Sequence, residues 1–365
     1  MGTFVFDART ANAHYPGIGR YTFELARALA ALTDLTLIVN PLQSAPEFDL
    51  WALPARRVAV PHTPRSLAQQ WIVPARLRRL RARVYHSPFY LMPYAPGTPT
   101  VVTVYDTIPF LAPDGYSAAQ RLIYRAAHQL AIWTAGRVVT LCQAARAEFL
   151  QRFPLAPDRI TVVAPGLPAH FAPPAAEAVA GYRAAQQLPA GYLLFVGSNK
   201  PHKNLPALIR AYGALPASAP ALVIAGPEDP RYPAMRAAAA PLGDRVRFLG
   251  RVPDEALPLL YAGARLYVQP ALVEGFGFPV LEAMGCGTPV ACADIPVLRE
   301  LAQTAAVYFD PRDPAAIAHA LVEALESPST LTALRERGLL RAREYNWPRA
   351  AAQTLGVYRA LADTP

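Results

Sequence analysis

Short apolar runs alternate with longer stretches of helical period along most of this chain. Thr3-Phe4-Val5-Phe6 reads as a strand, Gly17-Ile18-Gly19 as a loop, and Tyr21 to Leu32 as an amphipathic helix. Further strands are predicted at Leu35 to Val39, Arg83 to Tyr85, Thr100 to Tyr105, Arg137 to Leu141 and Ile160 to Val163. Helices such as Ala118 to Ala135 and Ala144 to Arg152 lie between them. Strands that stay apolar on both faces need cover on both faces. Alternated with helices, they predict parallel βαβ units.

The alternation breaks at Pro165-Gly166-Leu167-Pro168 and Phe171-Ala172-Pro173-Pro174, where proline is too dense for a helix or a central strand. It then restarts, with strands at Tyr192 to Val196, Ala221 to Ala225, Arg245 to Leu249, Leu266 to Gln269 and Pro289 to Ala293. Helices are predicted at Leu205 to Ala214, Asp254 to Ala262, Pro279 to Met284, Pro314 to Glu326 and Leu331 to Tyr345. Trp347-Pro348 opens a last helix, to about Leu361, which is expected to cross back to the first half. The expected fold class is α/β, with domains at 1–168 and 169–345, a C-terminal helix at 346–365, and a cleft between two doubly wound sheets. A length of 365 residues agrees with two cores.

Composition narrows the class. A hydrophobic fraction of 53% with 17% charged residues excludes a disordered chain. The N-terminus lacks the pattern of a signal peptide, and no apolar stretch of spanning length occurs. Cys142, Cys286 and Cys292 show no CxxC spacing, so reduced thiols in a cytoplasmic protein are expected, with neither disulfide nor zinc. The net charge is +9, yet only Lys200 and Lys203 are lysines, and they share one loop. No nucleic-acid partner is expected. The basic run Arg76, Arg78, Arg79, Arg81 and Arg83 follows Trp71. It is either a solvated helix face or a peripheral contact with the acidic inner face of a membrane.

Two loops carry candidate chemistry. In Glu274-Gly275-Phe276-Gly277-Phe278-Pro279-Val280-Leu281-Glu282, a strand ends, the glycines allow close backbone approach, and Pro279 suits a helix start. Helix starts attract anions such as a diphosphate. Glu282, expected in the first turn, suits the vicinal hydroxyls of a ribose, and Glu274 faces the sugar side of the same ligand. Gly197-Ser198-Asn199-Lys200-Pro201-His202-Lys203-Asn204, also between strand and helix, offers Lys203 as a cation to phosphate and to the charge that develops on a leaving group.

Glu274 and Glu282, spaced E-x7-E around GFGFP, together with VGSNKPHKNL, resemble the donor site of the retaining GT-B glycosyltransferases of family 4. DART…GIGRYTFELARAL and YHSPFYLMP are similar to the bacterial mannosyltransferase-like branch, which commonly uses GDP-mannose. The resemblance covers nearly the whole chain and implies GT-B architecture, with an acceptor-binding N-terminal and a donor-binding C-terminal domain. It implies metal-independent transfer of a hexose, with no cofactor, from a nucleotide-sugar to a glycan or lipid-linked acceptor in polysaccharide biosynthesis.

By the same resemblance Glu274 contacts the sugar, Glu282 the ribose and Lys203 the diphosphate. The turn at Gly275, Phe276, Gly277 and Phe278 supports sugar and phosphate, and Gly197 and Ser198 open the phosphate loop. Val252, in Arg251-Val252-Pro253, lines the base, Gly19 approaches the phosphates, and His86 faces the sugar. Arg20, Tyr105 and Asp106 are candidate contacts for acceptor or sugar. Two positions depart from the pattern. Ser198 stands where relatives carry arginine, leaving a second cation to Lys200, His202 or elsewhere, and Tyr105 precedes Asp106 where relatives read His-Asp. Open alternatives are UDP-glucose, UDP-GlcNAc or dTDP-rhamnose as donor, a nicotinamide oxidoreductase, and a catalytically silent sugar-binding protein.

Overall fold

The structure is a computed structural model describing residues 3–12, 14–43, 47–112 and 115–363. In chain order the first elements are β1 (Phe4–Asp7), α1 (Pro16–Ala30), β2 (Leu35–Val39), β3 (Arg56–Ala59), α2 (Gln69–Leu80) and β4 (Val84–Ser87). There follow β5 (Thr100–Thr103), α3 (Ile108–Leu111), α4 (Ala118–Thr134), β6 (Arg137–Thr140), α5 (Gln143–Arg152), β7 (Ile160–Val162) and α6 (Ala176–Ala185). Next come β8 (Tyr192–Val196), α7 (Leu205–Gly213), β9 (Leu222–Ala225), α8 (Ala234–Ala239), β10 (Val246–Gly250), α9 (Leu257–Gly263) and β11 (Ala264–Gln269). The chain ends with α10 (Phe278–Gly285), β12 (Val290–Ala293), α11 (Pro296–Ala302), β13 (Ala306–Phe309), α12 (Pro314–Glu326), α13 (Pro328–Arg343) and α14 (Trp347–Ala362).

The chain divides into two units. The first comprises Met1–Thr107, Ala118–Gly166 and Tyr345–Pro365, and the second Ile108–Ser117 and Leu167–Glu344. Each holds one sheet, ordered β3-β2-β1-β4-β5-β6-β7 in the first and β10-β9-β8-β11-β12-β13 in the second. Every strand pairing is parallel.

Strand β4 shows how the first sheet is covered on both faces. Tyr85 joins Val5, Ile38, Val60, Val73 and Leu77 in a cluster that seats α2. The next residue, His86, points the other way and meets Tyr358 of α14. On that face α14 also packs along α1. Among the described residues no helix is long and apolar enough to cross a membrane.

Three local differences from the sequence pattern have physical causes. Helix α1 begins at Pro16, not Tyr21, because proline is pre-set for a first turn, so Gly17 and Gly19 are helical rather than loop residues. Strand β3 carries Arg56 and Arg57 and is partly exposed, as an edge strand is, so its pattern gave no apolar signal. Glu282 is the fifth residue of α10, one place beyond the first turn, because α10 already starts at Phe278.

Candidate functional site

The second unit brings its two signature loops together through its topology. From β8 the chain moves outward to β9, whereas from β11 it moves the opposite way to β12. The loops leaving the carboxyl ends of these adjacent strands therefore diverge and leave a crevice, the usual ligand position in an open parallel sheet. The loop after β8 is Gly197 to Asn204, and the one after β11 is Pro270 to Gly277.

Hydrogen bonds from a side-chain amide and the backbone lock one loop to the other. After a single 3-10 turn, Pro201–Lys203, Asn204 adopts a left-handed conformation (φ 59°) that asparagine tolerates. Its side-chain amide donates to Pro270 O (3.1 Å) and Pro311 O (2.7 Å), and Leu272 N–H donates to His202 O (2.8 Å). That docking holds Lys203 Nζ 2.6 Å from Glu274 Oε1. The same oxygen accepts from Gln269 Nε2 at 2.5 Å, and Gln269 Oε1 in turn accepts from Tyr267 Oη at 3.2 Å. Glu274 is 8% exposed. Its charge is thus met by one cation and one amide donor, as a buried carboxylate requires.

Glycine is required where the turn becomes a helix. Gly277 has φ 98°, and a Cβ there would stand 2.8 Å from Leu298 Cδ2. Glu282, also buried, accepts from Tyr261 Oη at 2.9 Å. Burial and the Glu282 carboxylate both push the Tyr261 phenol well above its ordinary range, so it stays protonated and donating. The half-buried Gly197 begins a hollow at the ends of β8, β9 and β10 that also includes Asn199, Gly226, Phe248 and Gly250. A Cβ on Gly226 would fall 2.0 Å from Gly197 O, so backbone packs on backbone here. Ser198 and Val252 are half-buried, and the Phe276 and Phe278 rings meet at a tilt of 55° with centroids 5.0 Å apart.

The alternatives for a second cation separate. Burial, then Lys203 and Lys200, lower the His202 pKa to about 3, so His202 is neutral and supplies no charge. Lys200 is exposed. Among the described residues, no group of three His, Cys, Asp or Glu side chains could hold a metal ion.

Candidates in the first unit are placed differently. His86, expected to face a ligand, is instead fully buried, with Nδ1 2.6 Å from Tyr358 Oη and Nε2 2.8 Å from Thr103 Oγ1. Burial drops its pKa to about 3, and both nitrogens are engaged by neutral hydroxyls. A helix crossing this face of the sheet takes up the imidazole. Gly19, also buried, packs the start of α1 where a Cβ would meet Asn12 O and Thr10 O at 3.0 Å. Tyr105 is half-buried and donates to Pro88 O (2.8 Å), while Asp106 accepts a Tyr124 hydroxyl at its backbone oxygen. Arg20 is half-buried on α1.

Sequence reasoning missed Gln269, Tyr261 and Tyr267. One signal was present: Gln269 is an amide that ends the apolar run Leu266-Tyr267-Val268, five residues before Glu274.

Two family models match this chain: "Glycosyltransferase Family 4" over residues 15–171 and "Glycosyl transferases group 1" over 184–341. O-antigen chain mannosyltransferase B of Escherichia coli is 29% identical over 382 residues, covering 95% of this chain and 97% of that protein. A D-inositol 3-phosphate glycosyltransferase of Thermobispora bispora is 32% identical over 238 residues, covering 61% of this chain and 56% of the relative. Among solved structures, Anabaena HepE in complex with UDP and glucose superposes with a TM-score of 0.80 at 17% identity, covering 99% of this chain and 100% of that one.

Proposed function

As this chain belongs to family 4 of the glycosyltransferases, on its bacterial mannosyltransferase-like branch and with the GT-B fold, we propose that it moves mannose from GDP-mannose to a glycan or glycolipid precursor, retaining configuration and without a metal ion. The observation that carries the donor site is the contact of Lys203 with the buried Glu274 at the point where the second sheet reverses direction. A cation and a carboxylate in contact are the two groups that a sugar diphosphate engages separately, one at its phosphate and the other at its hydroxyls. The donor exchanges that contact for two of its own.

In this reading Lys203 and the start of α10 take the diphosphate. Glu274 receives the sugar hydroxyls, and Gln269 holds its other side. Glu282, braced by Tyr261, receives the ribose, and the base lies by Val252 and the hollow at Gly197. Ser198 and the turn Gly275 to Phe278 line the phosphate and sugar. The first unit takes the acceptor, with Arg20, Tyr105 and Asp106 as its contacts. Gly19 contributes by letting α1 pack closely. His86 acts as a positioning residue, because its hydrogen bonds to Tyr358 and Thr103 tie α14 to the sheet. Mannose is preferred because the Escherichia coli relative that matches over 95% of this chain is a mannosyltransferase.

Thermal-shift measurements with GDP, UDP, ADP, dTDP and NAD, each with and without EDTA, test the reading. A nucleotide at a hundred times its Kd adds about 2.7 kcal/mol of stability. GDP is expected to give the largest shift, unchanged by EDTA. Stabilisation by NAD alone overturns the assignment, and a shift abolished by EDTA overturns metal independence.

A further inference from the structure

The hollow at the carboxyl ends of β8, β9 and β10 has an apolar wall and a charged rim. Leu205, Ile224, Met235 and Phe248 supply the wall, and Glu228 and Arg236 are the charged residues that line it. An apolar wall with a few convergent polar groups suits a flat ring with a polar edge.

The loop that carries Glu228 is pinned to its neighbours. Asn199, on the loop after β8, is 5% exposed and accepts from Asp229 N–H at 2.7 Å. Its amide donates to Asp229 O at 2.9 Å and to Tyr232 O at 3.0 Å. Gly226 N–H donates to Gly250 O at 2.7 Å, which adds the end of β10. Asp229 turns both of its carboxylate oxygens to Arg231, so Glu228 is left as the acid of the hollow.

Arg236 aims the Glu228 carboxylate. Its guanidinium carbon stands 3.9 Å from the centroid of the Phe248 ring, a cation on an aromatic face. From there Nε and Nη2 donate to Glu228 Oε2 at 3.0 and 2.8 Å, while Oε1 receives only Nε, at 3.2 Å. The hydrogen bonds from Arg236 hold the Glu228 carboxyl below its usual range, so at neutral pH it is an anion with acceptors only. A carboxylate has about four acceptor sites on its two oxygens, and this one keeps some for a ligand's donors.

The bases differ in what they bring to such an acceptor. Guanine sets two donors side by side on its base-pairing edge, N1–H and the N2 amine. Uracil and thymine offer one N–H between two carbonyl oxygens. Adenine and cytosine offer an amine beside a ring nitrogen that is itself an acceptor. Lone pairs next to the donor repel a carboxylate, so a fixed carboxylate discriminates in favour of guanine.

We propose that Glu228 selects a guanine nucleotide at this site by accepting N1–H and the N2 amine, with Arg236 as the positioning residue that holds its carboxylate. The proposal rests on the reading above that the base lies by this hollow, and it adds which side chain chooses the base. The competing account is an exposed ion pair with no ligand, worth little to stability.

Calorimetric titration of the full chain with GDP, inosine diphosphate and UDP separates them. Inosine diphosphate is GDP without the N2 amine, so the ratio of the two affinities reads that one hydrogen bond. Wild type is expected to prefer GDP to inosine diphosphate by about tenfold or more, the range for a hydrogen bond to a charged group. Glu228→Ala should remove that preference. Arg236→Gln should narrow it, and Arg236→Lys, which keeps a cation beside the carboxylate, should restore it. All three variants should melt at the wild-type temperature, because both side chains are exposed. A preference for GDP that survives Glu228→Ala overturns the proposal and leaves an ion pair only. So does a wild type that prefers GDP to UDP but binds inosine diphosphate equally well, with the donor reading intact. Tighter binding of UDP than of GDP by wild type overturns the donor reading and this proposal with it.

Discussion

Each sheet reverses direction once, between β1 and β4 in the first unit and between β8 and β11 in the second, and each reversal holds a buried carboxylate against a cation. In the first, Arg9 forks onto Asp7 (Nε–Oδ1 2.8 Å, Nη2–Oδ2 2.6 Å) and also donates to Gln69 Oε1 and His62 O, while Tyr85 donates to Asp7 at 2.7 Å. The Arg9 side chain has no exposure. In the second, Lys203 meets Glu274 through a single point contact, and its side chain keeps 17% exposure. A planar guanidinium saturated by carboxylate, amide and carbonyl is a clamp, whereas an ammonium on a flexible stem can change partner. The same pairing of charges is thus saturated and fully buried at one reversal and left as a single, partly exposed contact at the other.

The comparison can be broken most forcefully at Arg9. Arg9→Met leaves Asp7 buried without its cation and should cost about 3–5 kcal/mol of stability in urea melts, with nucleotide affinity intact. Lost nucleotide affinity with unchanged stability would reverse the roles of the two pairs. Next in size, Glu274→Ala should lower turnover at least about a hundredfold while nucleotide binding is kept or tightened, because Lys203 is then released to phosphate. Turnover equal to wild type would remove Glu274 from the mechanism. Lys203→Ala should weaken GDP binding by about ten- to a hundredfold in calorimetric titration, the range for a charged hydrogen bond. An unaffected affinity there would show that the pair does not open for a ligand.

The most gradual effect, spread over several pH units, concerns the neutral buried groups. His86, His128 and His202 each have a pKa near 3, below the ordinary 6.5, with burial as the main cause. Below pH 6.5 the unfolded chain takes up protons that the folded chain refuses. Stability therefore falls as pH drops from 6.5 toward 3, by up to about 1.4 kcal/mol per pH unit for each histidine. His86→Gln should make the acid limb of the stability curve shallower by up to about 1.4 kcal/mol per pH unit, and an unaltered limb would mean that His86 is not neutral in the core.

Much of this was legible in one dimension. Two doubly wound halves follow from apolar runs of strand length alternating with helical periods, because covered parallel strands must be apolar on both faces. The break at Pro165 to Pro174, the turn from Glu274 to Glu282 and the pair of lysines are local signals. They read directly because backbone geometry at a strand-to-helix turn dictates glycine, proline and polar residues. The exposed edge strand β3 escaped, since nothing there is buried enough to leave a pattern.

What no local pattern carries is which partners the ends of the strands acquire. Lys203 and Glu274 are 71 residues apart, and only the reversal between β8 and β11 puts them 2.6 Å apart. His86 and Tyr358 are 272 apart, and only the return of α14 brings them within 2.6 Å. Residue types and spacing determined the two folds and the chemistry available to them. Long-range packing, which decides burial and pairing, determined which of those charges meet and how many donors each one has.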